Sequence, residues 1–168
     1  AVDDFRNWNI ARIGVRNLLQ TKRDYTSYDN WRYRSANDNT VQTYSWAGLN
    51  TYMDGFIEDP EFDRSTSNLY NELFFRPTPW LTFRADTQLP ISGGDANFTE
   101  ANYGVTFMPT HALSLTLGHQ YIQDHPYFEN SSRIYSRVYA RLNDDWGFSM
   151  NHVYESTDNT MEYQSYSL

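Results

Sequence analysis

Four histidines, His111, His119, His125 and His152, are the side chains best suited to move protons or bind metal near neutral pH. No two of them have zinc-type spacing, so structural or interfacial roles are expected. Cysteine is absent, which removes thiolate metal sites, Cys nucleophiles and disulfides. No nucleophile elbow, phosphate loop or zinc-protease motif occurs. A Ser, a His and a carboxylate can still assemble from separate strands, but nothing in the sequence singles out such a set, and no enzyme activity, cofactor or metal is expected. Gly93-Gly94-Asp95-Ala96-Asn97 has a calcium-loop composition, although a hairpin tip has the same one and is favoured. Asn97-Phe98-Thr99 and Asn130-Ser131-Ser132 match glycosylation acceptors at a chance level.

The arginines are the more productive candidates. Arg12, Arg16, Arg76, Arg84, Arg137 and Arg141 interleave with Glu72, Asp86, Tyr135 and Tyr139, while the chain has very little Lys. A guanidinium fork satisfies several acceptors at once, which suits a crowded, hydrated interior better than a bare solvent face. The ladder Arg133, Arg137 and Arg141, with Arg84 and Arg16, has the chemistry to hold a phosphorylated glycolipid or an anionic solute. Internal pairing with Glu72, Asp86 and Glu155 is the favoured reading of the same residues. Aromatics around Tyr25, Trp31 and Tyr33 suit sugar stacking or packing over a rim.

The elements that must position these side chains are strands. From Arg133 to Leu142 the even positions are Ile134, Ser136, Val138, Ala140 and Leu142, and the odd ones Arg133, Tyr135, Arg137, Tyr139 and Arg141. This is period two. It recurs at Leu69–Arg76, Leu81–Leu89, Ala101–Phe107, Leu113–Tyr121 and Trp146–Tyr154. Upstream, Ala11, Ile13, Val15 and Leu19 oppose Arg12, Gly14, Arg16 and Gln20. Val41, Ala47, Leu49 and Met53 belong to a longer strand whose other face holds Tyr44, Trp46 and Tyr52. Eight strands are readable, and no apolar face carries Asp, Glu, Lys or Arg.

The connections repeat too. Phe75-Arg76-Pro77-Thr78-Pro79-Trp80-Leu81 resembles Phe107-Met108-Pro109-Thr110-His111-Ala112-Leu113, with a weaker third copy at Arg141–Phe148. Pro77, Pro109 and Asn143 stand 32 and 34 residues apart, a hairpin-sized repeat. These are tight turns, and longer polar loops, Pro90–Glu100 and Gln123–Ser132, lie between them.

The 168 residues imply one domain spanning 1–168, or a barrel segment. A net charge of -8 argues against nucleic acid as a partner. Aromatics make up 17% of the chain although its mean hydropathy is -0.75. No stretch is long and apolar enough for a membrane helix, and Ala1–Ile10 lacks a signal-peptide apolar core. Ala1, with Asp3 and Asp4 behind it, fits either a mature product after signal removal or a section of something longer.

Short turns alternating with long loops, on strands of about ten residues with Trp80, Phe107, Tyr121, Trp146 and Tyr154 as interface aromatics, are the pattern of an outer-membrane β-barrel. Ten residues at about 3.3 Å, tilted by about 40°, span roughly the 25 Å of a barrel's apolar band. The expected fold is therefore all-β, an antiparallel up-and-down transmembrane β-barrel or a section of a larger one, with about 8 to 10 strands. Arg12, Arg16, Glu72, Arg76, Arg84, Asp86, Tyr135, Arg137, Tyr139 and Arg141 would then face the lumen. A soluble, aromatic-rich β-sandwich binding carbohydrate shows the same alternation with its apolar face inward. Thr21–Thr40 resists the scheme and reads as an inserted hairpin, extended strand ends or a plug.

The run Asn9-Ile10-Ala11-Arg12-Ile13-Gly14-Val15-Arg16-Asn17-Leu18-Leu19-Gln20-Thr21-Lys22-Arg23 resembles a barrel strand of the lipopolysaccharide-assembly outer-membrane family (LptD, organic solvent tolerance protein). Phe75-Arg76-Pro77 with Trp80-Leu81, and Trp146–Tyr154 followed by Glu162-Tyr163-Gln164, are similar to that family in style. The resemblance implies residence in a Gram-negative outer membrane and non-catalytic passage of lipopolysaccharide to the outer leaflet. It also implies a lipoprotein plug and remaining barrel strands as partners. The family's N-terminal jellyroll, its cysteines and its larger strand number are not found in this sequence, so what is implied is a section of barrel wall or a shortened relative. A small structural or pore-type barrel is the alternative within the membrane class.

Overall fold

The computed structural model describes residues 9–23, 42–58, 64–91 and 98–168. These form nine strands: β1 (Asn9–Arg23), β2 (Gln42–Glu58), β3 (Leu69–Thr78), β4 (Leu81–Leu89), β5 (Thr99–Thr110), β6 (Leu113–Gln123), β7 (Ser131–Arg141), β8 (Gly147–Glu155) and β9 (Thr160–Ser167). They lie in one sheet in chain order, every neighbouring pair antiparallel. The all-β, up-and-down expectation is met, and β9 adds to the eight strands read from the sequence.

The closed ring expected of a complete barrel is not formed. β1 and β9 are the two ends of the sheet, with no ladder between them among the described residues. Strands one and nine of an up-and-down sheet run in the same direction, so no antiparallel ladder can join them.

Registry keeps two faces separate across all nine strands, because directly paired residues share a face. One row of partners runs Asn17, Leu49, Leu73, Ala85, Tyr103, His119, Ile134, Tyr154 and Met161. Through the regular ladders this face holds no charged residue, and we call it the uncharged face. The opposite, polar face holds Arg12, Arg16, Asp54, Glu72, Arg84, Asp86, Glu100, Arg133, Arg137 and Glu155. Nothing among the described residues covers the uncharged face. Ile13 is 73% exposed, Leu117 54% and Ile134 43%, and no large side chain among the described residues is fully buried. A single sheet has no second layer to pack against, so it has no dry core of its own.

The repeated turn sequences form repeated structures. Pro77 sits in a register shift between Phe75 and Thr78, and Pro109 in one between Phe107 and Thr110. A bulge leaves backbone groups unpaired, so proline's missing N–H costs nothing there. In the third copy the Asn143 side-chain oxygen accepts the backbone N–H groups of Asp145 at 2.9 Å and Trp146 at 2.8 Å, closing the β7–β8 turn. Trp146, expected on the apolar face of the last readable strand, precedes β8 in this turn.

Two further expectations are corrected. Trp46 and Tyr44 are expected on the polar face with Tyr52, but the Trp46 ring lies 6.2 Å from that of Phe75 on the uncharged face, and Tyr44 pairs with Thr21 on the same side as Leu19. The cause is a register shift: Leu19 pairs with Ala47 and Gln20 with Ser45, leaving Trp46 as the extra residue. Long loops do not occupy the whole of the opposite end either, because β8 and β9 are joined by residues 156–159 alone. Asn159 adopts φ 53° there, a left-handed conformation that asparagine tolerates. Of Thr21–Thr40, residues 21–23 extend β1, and the rest lies outside the described residues. Tyr25, Trp31, Tyr33, Val41 and Gly93–Asn97 also lie outside them.

Candidate functional site: the polar face

Each polar-face arginine has a distinct environment. Arg12 makes a two-pronged contact with Asp54, Nε to Oδ1 at 2.7 Å and an outer nitrogen to Oδ2 at 3.0 Å, and stacks 4.5 Å over Tyr52. Asp54 is buried, and its backbone N–H donates to the Ser67 hydroxyl at 2.8 Å. Arg133 meets Glu162 at 2.8 Å and Glu155 at 3.6 Å. Arg141, at the end of β7, bonds the Asp144 carboxylate at 2.8 Å and the Asn143 carbonyl at 3.1 Å, and so anchors the turn. Arg76 lies over the Phe74 ring at 5.1 Å and Arg137 over Tyr135 at 5.6 Å.

The internal pairs therefore form mainly with Asp54, Glu162 and Asp144, residues the sequence reading had not chosen. Glu155 is buried and largely committed to backbone, accepting the N–H groups of Ser132 at 2.8 Å and Thr157 at 3.0 Å and the Ser131 hydroxyl. The register between β1 and β2 is what brings Arg12 opposite Asp54, and a sequence read strand by strand does not contain it.

Arg16, Glu72, Arg84 and Asp86 converge instead on an open hollow of about 410 Å³ across β1–β4, floored by Gly48 and walled by Phe74. Glu72 accepts a hydrogen bond from the Asn50 amide at 3.0 Å. A second hollow of about 210 Å³ shares Glu72 and Asp86 and continues to Glu100 and Asn102 on β5. Glu100 there accepts from Gln88 at 3.0 Å and Asn102 at 3.1 Å. The result is a trough of alternating charge along the polar face.

Aromatic rings shape this trough by lying flat over glycines on the next strand. A Cβ placed on Gly118 would stand 2.2 Å from the Tyr135 ring, and one on Gly104 would stand 2.8 Å from the Tyr135 hydroxyl oxygen. Gly48 would meet Phe74 at 2.3 Å and Gly14 the Tyr52 Cβ at 2.7 Å. Glycine on one strand creates the space that the ring on its neighbour fills. Tyr139, further along β7, is 46% exposed.

Several polar side chains of the uncharged face bond one another. The Thr51 hydroxyl donates to the Asn71 side chain at 2.9 Å, and the Asn71 amide donates to Thr87 at 3.2 Å. His152 and the Tyr166 hydroxyl are 2.6 Å apart. The aromatics expected at a membrane interface fall at both ends of the strands. Trp80, whose ring meets Phe107 at 5.5 Å edge-on, and Trp146 are at the short-turn end, and Tyr121 and Tyr154 are at the loop end.

Arg12→Ala is expected to lower stability more than Arg16→Ala does, because it strands the buried Asp54 carboxylate. Arg16→Ala, which strands no buried partner, should stay within about 0.5 kcal/mol. Chemical unfolding of the two variants side by side checks the contrast.

No protein-family model, curated protein or solved structure matches this chain.

Proposed function

We propose that the chain is a stretch of outer-membrane β-barrel wall that guides an amphipathic glycolipid toward the outer leaflet, a passage that itself needs no bond made or broken. The observation that carries the reading is the uncovered uncharged face, continuous over nine strands and backed by a face that holds the ladder charges. Acyl chains are the environment in which such a face is satisfied rather than exposed. Thr51, Asn71 and Thr87 on it bond one another, which hydrocarbon favours. Strands β3 to β8 are 9 to 12 residues long, which suits an apolar band of about 25 Å.

The trough would then line the lumen, with Arg16 and Arg84 offered to the phosphates of a head group. The resemblance of the β1 sequence and of the Pro77 turn to the lipopolysaccharide-assembly family supports the choice of cargo and of partners, namely further barrel strands and a lipoprotein plug. Parity adds a condition. Nine strands close antiparallel only with an odd number of others. A second copy in the same membrane orientation would again set β9 parallel to β1.

Gel filtration with and without detergent tests the membrane reading. A monodisperse species is expected in micelles only, and one in plain buffer would reject it. A fluorescent phosphorylated glycolipid tests the cargo. Arg84→Ala should weaken its binding about tenfold, as loss of a charge-assisted hydrogen bond does, and unchanged binding would reject the assignment.

A further inference from the structure

We propose that His119 and Ser132 form a serine–histidine dyad that hydrolyses carboxylic esters of lipids at the loop-end rim of the uncharged face. His119 Nε2 lies 2.9 Å from the Ser132 Oγ, within the reach a nucleophile and its general base require. The two residues are diagonal neighbours, His119 pairing with Ile134 and Ser132 with Tyr121.

A second serine adjoins the pair. The Ser156 hydroxyl stands 2.7 Å from the Ser132 carbonyl oxygen and 2.8 Å from its Oγ, and the Ser156 N–H donates to the same carbonyl at 2.8 Å. In the tautomer with the ring proton on Nδ1, Nε2 accepts the Ser132 proton while the Ser132 Oγ accepts from Ser156. That is the tautomer a general base needs.

His119 Nδ1 is buried without a hydrogen-bond partner. In its place the rings of Tyr103, at 5.2 Å, and Tyr121, at 6.4 Å, hold the imidazole. From the other side of the sheet, Glu155 fixes the start of β7 through the Ser132 N–H and the Ser131 hydroxyl. A triad deprived of its orienting carboxylate loses about 10⁴ in kcat, so slow turnover is expected.

The location favours a lipid substrate, a point that rests on the membrane reading above. The dyad sits at the level of Tyr121 and near Tyr154, where acyl chains would give way to head groups and where lipid ester carbonyls lie. Ser132 Oγ would attack the carbonyl carbon while His119 Nε2 takes its proton. The ester's alcohol leaves with that proton. Water, deprotonated by the same imidazole, then releases the fatty acid and restores Ser132.

The test is labelling of the full chain by a fluorophosphonate, mapped by mass spectrometry, with fatty-acid release from phospholipid vesicles measured in parallel. Label is expected on Ser132 over hours, absent in Ser132→Ala, unchanged in Ser149→Ala and at least 100-fold slower in His119→Gln, which retains a hydrogen-bonding partner but no base. No label on Ser132, or equal labelling of His119→Gln, overturns the dyad. Label without vesicle hydrolysis overturns the lipid substrate. Label on a protein that is monodisperse in plain buffer keeps the dyad and rejects the membrane reading instead.

Discussion

Leu117→Arg is expected to block assembly of this sheet in a bilayer while leaving a sheet in water almost untouched. Leu117 lies in mid-β6 on the uncharged face, between Val105 and Ser136, and is 54% exposed. An arginine facing lipid near the midplane of a barrel costs about 2–4 kcal/mol. That corresponds to a loss of roughly 30- to 1,000-fold in the folded population. On a water-exposed strand the same change stays within about 0.5 kcal/mol. Asn102→Arg supplies the control, since Asn102 sits on the polar face opposite Asp86 and donates to Glu100. Urea titration of the two variants in lipid vesicles should separate them by more than 1 kcal/mol, with Leu117→Arg the weaker. Equal midpoints would remove lipid from the account of the uncharged face.

The second large effect concerns Gly118. A methyl group there would overlap the Tyr135 ring at 2.2 Å, and that ring also covers Gly104. Gly118→Ala must push Tyr135 off the sheet, at a cost of about 1–3 kcal/mol typical of overpacking. In a Tyr135→Ala background the three closest contacts of that methyl group are gone. It should then be neutral or stabilising by about 0.5 kcal/mol, since alanine restricts the unfolded chain more than glycine does. The double-mutant cycle therefore predicts a coupling of at least about 1 kcal/mol. Additive effects would mean that Tyr135 does not rest on the glycine.

Period two made eight strands legible, because each carries mainly apolar residues on one side and mainly polar, charged or small ones on the other. β9 escaped for a physical reason. A register shift between Val153 and Tyr154 inserts Glu162, so Met161 and Tyr163 point to opposite faces and the alternation is lost. The same kind of bulge misplaced Trp46. The Pro77 and Pro109 bulges were legible as a repeat because proline marks them.

Features that depend on pairing between strands were not legible. The match of Arg12 to Asp54 is one, the rest of Tyr135 on Gly118 is another, and the diagonal approach of His119 to Ser132 is a third. Each exists only once registers are set, and a one-residue slip would replace every partner. Asp54 offered a faint signal as a lone carboxylate within an otherwise uncharged stretch of β2. Ser132 offered none, being one of many serines in the chain.

The central claim is that the uncharged face lies against acyl chains, and spin labelling along β7 in a lipid bilayer tests it most directly. The chain has no cysteine of its own, so single cysteines from Ile134 to Ala140 report one site at a time. Lipid-soluble oxygen should reach labels at 134, 136, 138 and 140 while a water-soluble nickel chelate is excluded from them, and the order should reverse at 135, 137 and 139. Equal access of the nickel chelate to both sets, or oxygen favouring the odd positions, would contradict the claim.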